Sequence, residues 1–333
     1  MQTASAKIPV LWYHVGMLLD RKTLGKYRIV KRLGSGGFGS VYLATDTWVK
    51  RKVALKIPHN QGQELEKMLH EPRLQASLSH PNIVQIYSVE KKEGIFFIVS
   101  EYISGPSLDR LIKDSDGLKW EKAISIIFQV CDALKFAHDH QIIHRDIRPA
   151  NVLLTEEGFV KMTDFGTSRY LNPDSIAVTR VGCPPYMAPE HFEGKAVFQS
   201  DIYSVGMMFY EMIMGKLPFE SFNPLKIEKE VKERLFTALH EKVDTLTPNQ
   251  SAIIMKALAK NYNERYLDAA DFKKAIIELQ ATDTPPEIPR SEIPQPSNRE
   301  TPDRTPSKKV CFNCGKLLSP RARVCPYCYQ EQD

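Results

Sequence analysis

The chain has 333 residues, 42% apolar and 26% charged, the profile of an ordinary globular protein long enough for about two domains. Lysine and arginine exceed aspartate and glutamate by 45 to 40, too small and scattered a surplus to point by itself to nucleic acid or a membrane surface. No run approaches the ~20 apolar residues of a membrane span, and Ile8–Leu19 lacks the small-residue cleavage site of a secretory leader, so a cytoplasmic protein with an N-terminal extension over residues 1–26 is expected.

From Tyr27 the chain reads first as strands. Tyr27–Leu33, Val41–Ala44, Val53–Ile57, Ile83–Val89 and Ile95–Ser100 are short runs rich in Val, Ile, Tyr and Phe between glycine and charged turns. Gln63–Leu78 interrupts them with Leu65, Met68, Leu69 and Leu78 near helical spacing. Beyond Gly105 the period changes. A stripe from Ala123 to Ala137 predicts a helix over Trp120–His140, and Ile202–Met214 is apolar nearly all round, as a helix in the middle of a helical domain would be. The pattern predicts an α+β protein of two lobes, a small β-rich one and a larger helical one. From Ala281 to Lys309 proline, threonine and serine displace large apolar residues, a linker composition. Thr284, Thr301 and Thr305 each precede proline there, which fits phosphosites and plain linker composition alike.

Gly34-Ser35-Gly36-Gly37-Phe38-Gly39 fits GxGxxG, a pattern that dinucleotide-binding folds share. Those folds follow the glycines with a helix whose N-terminus meets the pyrophosphate, whereas Val41-Tyr42-Leu43-Ala44 reads as a strand. The glycines therefore suit the tip of a hairpin, where backbone without Cβ atoms can lie over a triphosphate and offer N–H groups to it. In Val53-Ala54-Leu55-Lys56 strand alternation puts Ala54 and Lys56 on one face, which fits a pocket wall or a solvent-facing edge strand. A lysine that clamps phosphates needs a carboxylate to position it, and Glu71 in the interrupting helix is the candidate, although taken alone it is one surface carboxylate among several.

His144-Arg145-Asp146-Ile147-Arg148-Pro149-Ala150-Asn151, then Asp164-Phe165-Gly166, then Ala188-Pro189-Glu190 decide between these alternatives. With the glycine loop and Lys56 they make the chain resemble the eukaryotic-type serine/threonine protein kinases over Tyr27–Leu279. The resemblance implies the two-lobed kinase fold over residues 27–280 and ATP- and Mg²⁺-dependent phosphorylation of Ser/Thr hydroxyls on protein substrates, this chain included. It implies that Asp146 accepts or orients the hydroxyl proton, that Asn151 and Asp164 hold Mg²⁺, and that Lys56 binds the α- and β-phosphates while Glu71 holds it in place. Leu33, Gly34, Ser35, Gly36, Gly37, Phe38 and Gly39 would cover the nucleotide. Val41, Ala54 and Leu153 would sandwich the adenine, with the backbone of Glu101 and Ile103 bonding its edge. Ser100 falls at the gatekeeper position, where so small a side chain implies an open back pocket. Arg145 would pair with a phosphate on the loop between Asp164 and Glu190, with Thr179 the first candidate and Thr167, Ser168 and Ser175 behind it. Each of these is equally a plain hydroxyl in a polar loop. Glu190 with Arg265, and Asp201, resemble structural anchors.

Three positions depart from the family pattern. Residue 148 is Arg where Lys is usual, residue 183 is Cys where Thr is usual, and Gln75 stands where an apolar side chain usually packs. They keep open a reading from a different class, a nucleotide-binding pseudokinase that works as a scaffold.

Cys131 and Cys183 are isolated, while Cys311, Cys314, Cys325 and Cys328 crowd the end of the chain as two CxxC turns. At this spacing the turns can present four thiolates to Zn²⁺, with redox or disulfide chemistry as the alternatives. The segment resembles the zinc-ribbon family, with Tyr329 where glycine is common, and residues 310–333 are expected to form a ribbon around a structural Zn²⁺. Residues 281–309 tether it. Phe312, Tyr327 and Tyr329 beside Lys316, Arg321 and Arg323 suit docking on a protein, with nucleic acid the second choice of partner and a membrane not expected.

Overall fold

The computed structural model describes residues 23–36, 39–59, 61, 65–165, 169–170, 182–220, 223–233, 236–283, 309–311 and 317–318. The chain divides into two units, residues 1–284 and 285–333.

The first unit opens with an antiparallel sheet in the order β1-β2-β3-β4-β6-β5, built from β1 (Thr23–Leu24), β2 (Tyr27–Gly36), β3 (Gly39–Asp46), β4 (Arg51–Pro58), β5 (Ile86–Lys92) and β6 (Ile95–Glu101). One helix, α1 (Leu65–Ala76), stands between β4 and β5. Alternation in β4 decides what faces the sheet's own core: Val53, Leu55 and Ile57 are buried against Tyr27, Tyr42 and Phe97, while Ala54 and Lys56 are half-buried on the other face. Each such buried side chain contributes about 1.5–3 kcal/mol of transfer free energy. The sheet starts earlier than the sequence boundary at residue 27. Thr23 and Leu24 pair with Arg28 and Tyr27, and Leu24 is buried in the same core. A strand of two residues has no period to read, so the sequence assigned it to the extension.

The helical part follows: α2 (Leu108–Ser115), α3 (Trp120–Asp139), β7 (Ile142–Ile143), β8 (Val152–Leu154), β9 (Val160–Met162), β10 (Arg169–Tyr170), α4 (Pro189–Phe192), α5 (Phe198–Met214), α6 (Pro224–Glu233), α7 (Pro248–Ala257) and α8 (Ala269–Asp283). Helix α5 is buried from Ser200 to Ile213 except at Glu211, so it forms the axis on which α3 and α7 pack. It ends at Gly215, whose left-handed φ of 70° lets its N–H return to the Glu211 carbonyl. A buried ion pair ties α4 to the segment before α8: Nη1 and Nη2 of Arg265 donate to Glu190 at 2.7 and 2.8 Å, and Ser200 Oγ donates to the same carboxylate. Among the described residues no helix is long and apolar enough to cross a membrane.

The second unit holds β11 (Lys309–Val310) and β12 (Leu317–Leu318), an antiparallel pair with Val310 opposite Leu317. Cys311 directly follows β11 and is buried. Cys314, Cys325 and Cys328 lie outside the described residues, as do Phe312, Lys316, Arg321, Arg323, Tyr327 and Tyr329. Among the described residues no group of three or more His, Cys, Asp or Glu gathers in a way that could hold a metal.

Candidate active site

Strands β2 and β3 turn back on each other around residues 37 and 38, with Ser35 opposite Ser40 and Gly36 opposite Gly39. The glycines thus end a hairpin and lead into a strand. Leu33, Gly34, Ser35 and Gly36 are exposed, whereas Gly39 is buried and needed for close approach: a Cβ there would stand 2.5 Å from the Ile57 carbonyl oxygen. Gly37 and Phe38 lie outside the described residues.

Register across the sheet sets Val41 opposite Lys56, and Ala54 opposite Ser100. Leu153 is half-buried between buried Val152 and Leu154 on β8. Val41, Ala54, Lys56, Ser100 and Leu153 are therefore the residues that alternation turns away from the two cores. At the end of β6 the Glu101 N–H donates to the Gln85 carbonyl at 2.8 Å, and its carboxylate accepts Lys161 Nζ at 2.9 Å. Ile103 is buried two residues on.

Lys56 Nζ donates to Asp164 Oδ1 at 2.6 Å, joining β4 to a segment 108 residues away. Asp164 holds a φ of 61°, rare outside glycine, and the next ring, Phe165, is fully buried with its centroid 4.4 Å from that of His144. One turn of backbone thus projects a carboxylate at the lysine and fixes a phenyl in the core. Glu71 lies within α1, and its side chain is outside the described residues. Gln75, four residues on, is buried and donates from Nε2 to the Val84 carbonyl at 2.9 Å, which ties the helix to the approach to β5.

The loop carrying Asp146 is pinned from below. Asp201, fully buried in the first turn of α5, accepts the N–H groups of His144 at 2.8 Å and Arg145 at 2.9 Å, with His138 Nε2 at 2.9 Å. Burial alone would raise its pKa, but the His138 contact and the His144 N–H outweigh it and hold the carboxyl below the usual range. Arg145 is buried at a φ of 69°, a conformation costing on the order of 1 kcal/mol that these bonds sustain. Asn151 Nδ2 donates to the Asp146 carbonyl at 2.8 Å and to Oδ2 of the same residue at 3.0 Å, so the amide oxygen of Asn151 is oriented as an acceptor on the other side.

Next to this loop lies a cavity of about 500 Å³ whose lining includes Asp109, Arg148, Ala150, Cys183, Tyr186 and Glu211. The Tyr186 hydroxyl donates to Glu211 Oε2 at 2.5 Å. Burial lifts the Glu211 carboxyl above its ordinary value against that bond. Burial likewise holds the Cys183 thiol up, against the pull of the neighbouring Arg148 guanidinium. Apart from Arg148, Ala150 and Cys183, these lining residues were not singled out in sequence. Glu211 carried a visible signal, as the one carboxylate in the apolar-rich run Ile202–Met214. Thr179, Thr167, Ser168 and Ser175 lie outside the described residues.

The protein kinase domain family matches residues 27–277. The chain is 33% identical over 267 residues to the serine/threonine-protein kinase PrkC of Bacillus subtilis (strain 168), covering 78% of this chain and 41% of that one. It is 34% identical over 277 residues to the serine/threonine-protein kinase PknB of Mycolicibacterium smegmatis, covering 78% and 44%. With the probable serine/threonine-protein kinase PknB of Lactococcus lactis subsp. lactis it shares 35% identity over 257 residues, covering 74% and 40%. The chain spans less than half the length of these relatives. Because the match runs from the first long strand into the last described helix and takes in the residues of the cleft, the chain belongs to the protein kinase domain family.

Proposed function

We propose that the chain is a serine/threonine protein kinase that uses ATP and Mg²⁺ to phosphorylate proteins, itself among them, and that residues 310–333 form a structural zinc ribbon that targets or regulates it by docking on a protein. The observation that carries the enzyme reading is the 2.6 Å contact between Lys56 and Asp164 with Phe165 buried beside it, because it sets a cation and a carboxylate together at the cleft wall. The names of the relatives support the Ser/Thr class.

The donor set suits the nucleotide and its metal. Asp164 is partly exposed and Asn151 offers an oriented amide oxygen, hard oxygen ligands of the kind Mg²⁺ takes alongside phosphates. Lys56 would neutralise phosphate charge, and the exposed glycine hairpin would supply N–H groups. Bound Mg-ATP supplies the phosphoryl group and most of the charge compensation its transfer requires. Asp146, fixed by Asn151 on one side and by the pinned loop on the other, orients the acceptor hydroxyl and takes its proton. The cavity bearing Arg148, Tyr186 and Glu211 is the acceptor side, where a polypeptide lies.

Incubating the purified chain with ATP and Mg²⁺, mapping phosphosites by mass spectrometry and repeating with Asp146→Asn tests this reading. Phosphate on Ser or Thr that disappears in the variant is expected. ATP binding without any transfer, to itself or to an added protein, would favour the scaffold instead.

A further inference from the structure

The glycine hairpin is held by a residue outside its own motif. His59, the residue after β4, brings Nε2 to 3.0 Å from the Gly36 carbonyl oxygen, and because a carbonyl only accepts, the ring nitrogen is the donor. Gly36 ends β2 and faces Gly39 across the turn, so the bond falls on the tip of the hairpin. A Cβ at Gly34 or Gly36 would meet nothing within 4 Å, so side-chain packing gives this tip little hold. His59 is itself fixed on both sides. Before it, Pro58 lies opposite Gly39 in the register of β3 and β4. After it, Gln61 donates from Nε2 to the Pro58 carbonyl at 2.7 Å and to the Phe96 carbonyl at 3.1 Å, and accepts the Phe96 N–H at 2.7 Å, which binds the chain leaving β4 to β6. Across the hairpin, Ser35 Oγ and Ser40 Oγ stand 3.1 Å apart. The tip is therefore tied to itself and to the exit of the strand that carries Lys56.

We propose that His59 is a positioning residue for the nucleotide: through the Gly36 carbonyl it holds the hairpin tip in one arrangement before ATP arrives. The inference rests on the kinase reading of the same site and adds to it a residue that takes no part in the glycine motif. Glycine loses more conformational freedom on ordering than any other residue, so a hairpin tip free to swing meets that cost when it closes on phosphates. A planar peptide whose carbonyl is held has its N–H direction fixed as well. The donors offered to a triphosphate are thus arranged in advance, and binding loses less to ordering. Lys56 lies three residues before His59. One rigid segment therefore sets both the cation and the loop that would meet the same phosphates.

The test compares the full chain with three variants: His59→Phe, which keeps a ring but has no donor, His59→Ala, and His59→Gln, whose amide N–H can replace the imidazole donor. Two quantities are measured, phosphorylation of the inactive Asp146→Asn chain and calorimetric binding of a non-hydrolysable ATP analogue with Mg²⁺. His59→Phe and His59→Ala are each expected to raise the KM for ATP and the Kd for the analogue about fivefold, with kcat within about twofold of wild type. His59→Gln should return both constants to within about twofold of wild type. A residue that merely supported the fold would lower kcat and the unfolding midpoint together with affinity, and an amide would not rescue it. Unchanged affinity in both the Phe and Ala variants, a loss in Ala that Phe restores, or a loss that Gln does not restore overturns the proposal. A wild-type chain that binds the analogue but transfers nothing overturns the kinase reading instead, while the Kd series still decides the role of His59, so the two failures are distinct.

Discussion

The backbone N–H of Arg145 donates to Oδ1 of Asp201 at 2.9 Å while Arg145 itself stands at a φ of 69°. A conformation unfavourable for arginine is thus held by a carboxylate from the helix that forms the axis of the lobe, and the residue that follows is Asp146. Asp201→Asn keeps the shape but turns an NH₂ group toward one of the donors around it. Breaking so buried a charged network costs about 3–5 kcal/mol, which urea unfolding would register, together with a fall in kcat from the unpinned loop. A loss under about 1 kcal/mol would mean that the loop holds itself. The pH dependence has a fixed sign. The folded pKa of Asp201 lies below its ordinary value near 3.8, so its contribution is fully present above that pH and is lost as pH falls through the lower folded value.

Gln75 replaces an apolar packing residue, yet it is buried and its amide holds the Val84 carbonyl, itself in a buried residue. Gln75→Ala removes the bond and leaves a void, an expected loss of about 2–4 kcal/mol in equilibrium unfolding. Gln75→Leu refills the space and should lose less than half of that. Since the same helix carries Glu71, the Ala variant should also raise the KM for ATP more than the Leu variant does. Equal stability of the two variants would show that the hydrogen bond, and not the packing, is what matters.

The sequence revealed features whose cause is local and hid those that depend on distant segments. The alternation of β4 separated Ala54 and Lys56 from Val53, Leu55 and Ile57 on sight, and the strand after Gly39 distinguished a hairpin from a dinucleotide loop. The stripe on α3 and the apolar α5 likewise follow from period alone. Strands β1, β7 and β10 have two residues each and no period, so only tertiary pairing defines them. That Asp201 caps the Asp146 loop, and that Arg148 and Cys183 line one cavity, depends on how helices and loops pack, which residue spacing does not encode.

Ser100 on β6 stands opposite Ala54 on one side and Ile86 on the other. Small residues facing each other at the end of the cleft leave room that a methionine would fill. An ATP-competitive inhibitor with a bulky aryl group should bind the natural chain at least about tenfold tighter than Ser100→Met, with the KM for ATP changed by no more than about threefold. Equal inhibition of the two would mean that another side chain closes the space behind Ser100.

Cys311 is buried at the end of a strand of two residues that pairs with another of the same length. Such a pair is far too short to sustain itself in water, so its order needs an added source of stability. The CxxC spacing supplies a candidate in four thiolates, which bind Zn²⁺ with an apparent free energy of about 10–16 kcal/mol in short zinc-folded segments. The chain purified under reducing conditions should therefore contain about one zinc per molecule by plasma mass spectrometry. Cys311→Ser should lower that content sharply. The unfolding midpoint of the kinase domain should stay unchanged, because residues 1–284 form their own core. Lower pH releases the metal by protonating the thiolates, so zinc content should fall with acidification well before the kinase domain unfolds. Zinc absent from the freshly purified chain, or retained in full after Cys311→Ser, would leave the four cysteines to redox chemistry.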